Sequence, residues 1–185
     1  MEKFTKLSNI SDLRRRAREH IENGAVTEGY RADREAVLKL LNAALASEVV
    51  CVLRYKRHYF MARGANSRGI AEEFLEHAAE EQGHADQLAE RIVQLGGTPD
   101  LNPETMSSRS NTEYVEGTTL VDMVKQNLIA ERIAVESYGE FIQHLGDRDP
   151  TTRRLLEEIL ATEEEHAEDL ASLMAQMNPP AHDST

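Results

Sequence analysis

The chain has 185 residues, a formal net charge of −12 and a sequence pI near 5.0, which argues against a surface built to hold nucleic acid by neutralising phosphates. Hydrophobic residues make up 40% and aromatics 5%, with no tryptophan and with Ala, Leu, Glu and Arg abundant, so one largely helical domain with a genuine core is expected. A single cysteine, Cys51, excludes an internal disulfide and a Cys-rich zinc or iron–sulfur module; with no charged-then-apolar leader and no apolar run near the roughly 18 residues of a membrane span, a soluble cytoplasmic protein is expected.

The composition and periodicity predict five helical segments. The first, from about Ser11 to Glu22, has Ser11 as N-cap and stops at Asn23-Gly24; residues 1–30 read as an N-terminal helical extension. The second, from about Arg31 to Arg63, sets Leu41, Ala44, Glu48, Val52, Tyr55 and Tyr59 at steps of three and four before Gly64. The third, Ser67 to Leu95, carries Phe74, Ala78, Glu81, Ala85, Leu88, Ile92 and Leu95 on one stripe and breaks at Gly96-Gly97. A polar stretch from Thr98 to Gly117, with Pro99, Pro103 and little periodicity, is long enough to cross from one end of a bundle to the other. The fourth segment, Thr118 to Leu145, places Leu120, Val124, Leu128, Glu131, Val135, Tyr138, Ile142 and Leu145 on one face. The fifth starts at Asp149 as N-cap with Pro150 at the first helical position and runs to Met177 through Leu156, Ile159, Glu163, His166, Leu170 and Leu173. Residues 31–178 then form an all-α four-helix bundle with one long crossover, and 179–185, after Pro179-Pro180, a disordered tail.

The helices repeat in pairs. Glu48 and Tyr55 are seven residues apart, as are Glu131 and Tyr138, and each lone glutamate is followed 33 or 32 residues later by a Glu-x-x-His pair, Glu81 with His84 and Glu163 with His166. A carboxylate on an apolar helix stripe is costly unless it is neutralised or bound to metal, and here one occurs on each long helix. Glu and His at i and i+3 lie on one helix face and can reach one cation. Six ligands for two cations result: Glu48 and His84 terminal on one, Glu131 and His166 terminal on the other, and Glu81 and Glu163 bridging. Oxygen-rich ligation with one imidazole per metal suits iron or manganese with coordination positions left open for dioxygen or peroxide.

The remaining polar residues read more blandly. Glu73, Glu76, Glu80, Glu164 and Glu165 are solvated faces, and His77, one turn before Glu81, is a surface histidine rather than an entry-channel group. His20, His58, His144 and His182 have no partner at ligand spacing. Tyr55 and Tyr138 either donate to a bridging carboxylate, supply an electron, or simply pack with satisfied hydroxyls. Cys51 is a small buried residue, and Asp86 and Glu168 either support the ligands or face water.

The segment Glu80-Glu81-Gln82-Gly83-His84-Ala85-Asp86, with Glu90-Arg91-Ile92, Gly97-Thr98-Pro99 and the Glu48 to Tyr55 spacing, resembles bacterioferritins of the ferritin-like superfamily over about Arg31 to Met177. The resemblance implies a ferroxidase that takes Fe(II) and O2 or H2O2 and stores the ferric product in a hollow homo-oligomeric shell. Where bacterioferritins place a haem-binding methionine after the bridging glutamate this chain has Gln82, so no haem is expected, and no short fifth helix of the larger shell follows Met177. A Dps-like ferritin with its site inside the bundle fits best, with a 12-mer favoured over a 24-mer. Arg14, Arg15, Arg16 and Arg18 lie outside the match and are taken as part of an interface helix rather than a DNA-touching arm. The alternatives are a rubrerythrin-like peroxidase, against which the missing Cys-x-x-Cys module speaks, a manganese catalase, and a Dps-type DNA-protecting protein.

Overall fold

The computed structural model describes residues 7–64 and 67–177, which are all-helical and contain no strand. Four long helices carry the bundle: α2 (Arg34–Met61), α3 (Ser67–Gln94), α5 (Leu120–Leu145) and α6 (Pro150–Met177), with two short ones, α1 (Ile10–Arg16) and α4 (Pro103–Arg109). Helix α2 packs most extensively on α3, and α5 on α6, which gives the two helix pairs of the repeat. The expected tail lies outside the described residues, as do His182 and any segment following Met177.

The helix starts follow local chemistry. Asp33 accepts the Ala36 N–H, Thr119 the Asp122 N–H, and Asp149 the Thr152 N–H at 3.0 Å, each satisfying a donor that the first helical turn leaves free. At the far end of α3, Gly96 takes φ 73° and the Gly97 N–H returns to the Ile92 carbonyl; a Cβ on Gly97 would collide with the Leu38 side chain, so α2 and the turn approach closely only because this residue has none.

Three expectations for the chain's secondary structure need correction. The first helix is capped by Asn9, not Ser11, whose hydroxyl instead donates to the Asn9 side chain, and it ends at Arg16; a 3-10 turn over Ile21–Asn23 follows. No residue of α1 is buried, and a helix this short without packing support does not propagate. The polar stretch contains α4, because Asn102 caps it by accepting the Glu104 N–H and Pro103 occupies its first position, where proline starts a helix rather than breaking one. Finally, α2 does carry an 18-residue window apolar enough, by length and composition, to cross a membrane. Half of that window is buried inside the bundle, with Glu48 in the middle of the helix, which accounts for its apolar character as core.

The crossover lies along α2. Asn42 accepts the Asp100 N–H, Ser47 the Asn111 N–H, Arg54 donates to Thr112 and the Glu113 carbonyl, and His58 meets the Val115 and Glu116 carbonyls. Contacts advance together along both segments, so the crossover runs from the start of α2 to its end and delivers α5 antiparallel to it. Most of the apolar core falls into two clusters, beside a small third of Ala46, Val50 and Met106. One cluster joins Leu41, Leu45, Leu88, Ile92, Leu145 and Leu156; the other joins Cys51, Tyr55, Phe74, Val124 and Leu170. The polar residues of the repeat sit in the layer between them. On α5 the expected Val135 is only half-buried, and Ala134 and Phe141 pack on the core in its place, while Asn127 is fully buried.

Candidate metal centre

Glu48, Glu81, His84, Glu131, Glu163 and His166 converge in that middle layer, and none is more than 6% exposed. Each glutamate is held in place because apolar residues one turn away on its helix lock the rotation about the axis. Ligand-capable atoms of Glu48, Glu81, His84 and Glu163 lie within 4.8 Å of one another, as do those of Glu81, Glu131, Glu163 and His166. Glu81 and Glu163 belong to both groups, which is the arrangement a bridged pair of cations needs.

Electrostatically the cluster is incomplete by itself. Glu48 Oε2, both oxygens of Glu81, Glu131 Oε2, both oxygens of Glu163, and Nδ1 of His84 and His166 are buried without a hydrogen-bond partner. Unpaired buried polar atoms cost roughly 1–3 kcal/mol each, more when charged, so so many converging on one point call for counter-charge. Burial first, and the nearby carboxylates second, push the carboxyl groups of Glu81 and Glu163 well above the usual range. Two divalent cations would supply the missing partners, and the oxygen and nitrogen donors fit them.

The tyrosines bind the two helix pairs together crosswise. Tyr55 on α2 donates to Glu131 Oε1 on α5, and Tyr138 on α5 donates to Glu48 Oε1 on α2. Both phenols therefore reach the outer glutamates, not the shared ones, because a step of seven along one helix brings the hydroxyl level with the opposite helix. Burial, then the adjacent carboxylate, raises both phenols well above their ordinary pKa and keeps them donors.

Two residues read as surface groups belong to the centre. His77 is 3% exposed; its ring stacks on His166 with centroids 3.9 Å apart, and its Nδ1 is 3.1 Å from the Tyr55 hydroxyl. Burial, and then His166, pushes its pKa down to about 3, so the ring is neutral. Glu80, although exposed, folds its carboxylate to 2.7 Å from His166 Nε2, which leaves His166 Nδ1 facing Glu81, Glu131 and Glu163 at 3.8 to 4.0 Å. Both contacts cross between α3 and α6, so no spacing within one helix reveals them. His84 Nδ1 lies 2.9 Å from Glu163 Oε1 and 3.4 Å from Glu48 Oε2.

The other candidates stay apart. Asp86 and Glu168 are exposed, Asp86 accepting from Gln82. His20 is exposed, and His58, fully buried, binds Asn127 and two crossover carbonyls. Cys51 is buried, and burial pushes its thiol up to about 12. Arg54, 1% exposed and three residues further on, donates to Cys51, Asn127, Thr112 and the Glu113 carbonyl, with its guanidinium 5.7 Å from the Tyr55 ring centroid. The sequence offered one sign of it, an arginine on a helix face otherwise apolar.

Comparison with known proteins agrees with this geometry. A family model described as "Ferritin-like domain" matches residues 38–178. The chain is 32% identical over 140 residues to a nutrient stress-induced DNA-binding protein of Synechococcus, covering 73% of this chain and 78% of that one. It is 28% identical to a bacterioferritin of Desulfovibrio desulfuricans over 140 residues, 75% of this chain and 74% of the relative. Among solved structures, the bacterioferritin-related protein of Bacteroides fragilis, described as a dodecameric thioferritin, superposes with a TM-score of 0.76 at 33% identity, over 80% of this chain and 89% of that one.

Proposed function

The chain belongs to the ferritin-like family, and on that premise we propose that it is a ferroxidase for iron storage and detoxification, with Fe(II) as its substrate. The observation that carries the proposal is the set of buried oxygens and imidazole nitrogens left without partners in the middle of the bundle. Glu48 and His84 would hold one Fe(II), Glu131 and His166 the other, and Glu81 and Glu163 both. Two Fe(II) held together can give two electrons to O2, which takes up two protons to become H2O2, or to H2O2, which takes up two protons to become two waters. Tyr55 and Tyr138 fix the outer carboxylates, Glu80 sets the His166 tautomer by accepting from Nε2, and apolar layers above and below exclude bulk water.

The bundle, residues 31–178, is then the catalytic body, and residues 1–30 an appended interface segment. The product would be stored as ferric mineral in a shell of twelve copies in the cytoplasm; the dodecameric relative supports that number. Manganese fits the same donors, so metal content of the purified protein belongs in the test. A DNA-protecting role is favoured by the name of the Synechococcus relative and opposed by the charge of −12. The deciding experiment is anaerobic loading with ferrous salt followed by mixing with O2 or with H2O2 while ferric absorbance is followed. Wild type should oxidise two Fe(II) per chain rapidly and Glu81→Gln should lose most of that rate; equal rates in both would reject the proposal.

A further inference from the structure

Helix α5 carries apolar side chains that the bundle core does not use. Ile129, Ile133 and Val135 belong to none of the core clusters; they line a groove of about 700 Å³ that runs between α5 and α6 and opens to solvent. Its rim is acidic. Glu136 and Glu140, one turn apart on α5, and Glu164 on α6 are exposed and make no ion pair among the described residues, against a single arginine, Arg132. The groove continues past Gly139 between the same acids. Glycine weakens the interior of a helix, and a Cβ on Gly139 would meet nothing within 4 Å, so no described part of the chain accounts for it. Bare backbone in a groove is what the close approach of another segment needs.

The start of the chain has the complementary chemistry. Ile10 and Leu13 are exposed, lie three residues apart and share a face of α1, a helix that buries no residue of its own. Arg14, one turn from Ile10, and Arg18 are exposed and have no carboxylate partner among the described residues, unlike Arg15, which pairs with Glu19; Arg18 donates only to the Arg14 carbonyl. The lengths agree as well: the seven residues of α1 span about 10 Å, and the groove from Ile129 to Glu140 about 16 Å of α5. The α1 of the same chain is not the occupant, since no residue of it lines the groove, and the segment behind it is held elsewhere, by Val26 against the Leu41 cluster and by Tyr30 on Asp149.

We propose that α1 of one copy lies in the α5–α6 groove of a second copy, with Ile10 and Leu13 on the apolar floor and Arg14 and Arg18 among Glu136, Glu140 and Glu164. Burial of apolar surface from both partners drives the contact, and the opposed charges set its orientation and exclude wrong pairings. Each copy gives an α1 and receives one on a different surface, so the contact is heterologous and ties copies together head to tail until a ring closes. The proposal rests on the reading of residues 1–30 as an interface segment of a shell, and on nothing in the oxidation chemistry.

Charge exchange in the full chain tests it. Arg14→Glu with Arg18→Glu sets acid against acid, and Glu136→Lys with Glu140→Lys sets base against base; all four positions are exposed, so helix content by circular dichroism should match wild type. Native mass spectrometry should show each double variant losing the wild-type particle to smaller species. The two double variants expressed together should regain it, because the reversed α1 of one then meets the reversed groove of the other, and a chain carrying all four substitutions should regain it too. A double variant that keeps the wild-type particle overturns the contact, and so does a co-expressed pair that fails to recover. Recovery by the fourfold chain alone would put α1 in the groove of its own chain and overturns it as well. A wild type that runs as single chains rejects the shell itself, whereas wild-type-sized particles from the double variants reject only this contact.

Discussion

Carboxylates that repel one another inside a bundle weaken the metal-free protein. Glu163 is fully buried with both oxygens unpartnered, and its neighbours Glu48, Glu81 and Glu131 are also acids. Glu163→Gln keeps the shape but removes the cost of either burying a charge or taking up a proton to neutralise it on folding, so the metal-free protein should become more stable by about 1–3 kcal/mol. The same substitution removes a shared ligand, so added Co(II) or Mn(II) should raise the melting temperature of wild type far more than that of the variant. Calorimetry on both, with and without metal, checks the pair of signs, and a variant less stable without metal would contradict them. The tyrosines give a contrast. Tyr138→Phe leaves Glu48 without its donor and should cost about 1–3 kcal/mol, as a buried acceptor deprived of its partner does. Tyr55→Phe removes the donor to Glu131 and also the acceptor for His77, so it should cost more than its counterpart, which chemical denaturation of the two variants measures. The six residues of the centre were legible because each carries a charge or an imidazole on an apolar stripe and the pattern occurs twice. His77, Glu80 and Arg54 were not, since what defines them is contact across helices, and a sequence shows only spacing along one.

Of the two helix caps read from the sequence, Ser11 gives way to Asn9 and Asp149 stands, and Asp149 shows how much such a residue does. Its carboxylate caps α6, accepts from Tyr30 in the N-terminal segment, and receives the Arg91 guanidinium of α3 at 3.0 Å. Burial works to raise its pKa, but the hydrogen bonds from Thr152, then Tyr30 and Arg91, outweigh it and hold the group below the usual value. A carboxyl depressed in the fold stabilises above its unfolded pKa of about 3.9 and loses that contribution as pH falls through the folded value. Asp149→Asn should therefore cost about 3 kcal/mol at neutral pH, where a buried partner of Arg91 is lost, and should flatten the loss of stability below about pH 4. Urea unfolding across that range tests both the size and the slope. The crossover was legible as a connection, from its length and prolines, but not as an ordered element. Its order comes from α2, above all from Arg54, which donates to Asn127, Thr112 and the Glu113 carbonyl. Arg54→Met leaves those acceptors empty, so residues 110–117 should exchange amide hydrogens faster and be cut sooner by protease, while α3 and α6 stay protected.

At the scale of the whole molecule, large apolar side chains are left exposed on the long helices and crossover, as at Phe60, Val93, Leu101 and Leu53, and in a close run of four at the start of the described chain. Leu7 is 92% exposed, Ile21 76%, Ile10 65% and Leu13 51%, and no residue of α1 is buried. From Val26 onward the chain packs on the core: Val26, Tyr30 and Ala32 lie against the cluster of Leu41 and Leu88. The bundle is thus closed without α1, and an apolar segment this exposed on a chain of charge −12 is suited to burial against another copy, where short-range apolar contact must overcome net repulsion. Arg15 is already paired with Glu19 at 2.6 Å and Arg16 donates to Ser8, so these arginines are partly engaged locally rather than held out for phosphates. Replacing Ile10, Leu13 and Ile21 together by serine should leave helix content and Co(II) binding unchanged, because none of the three touches the bundle core. It should lower the mass of the native particle, and the shortfall should grow at low ionic strength, where repulsion between like-charged copies is least screened. Native mass spectrometry and sedimentation at two salt concentrations read this directly. An unchanged particle at both would place the contacts between copies on the long helices instead, and would leave α1 free to act elsewhere.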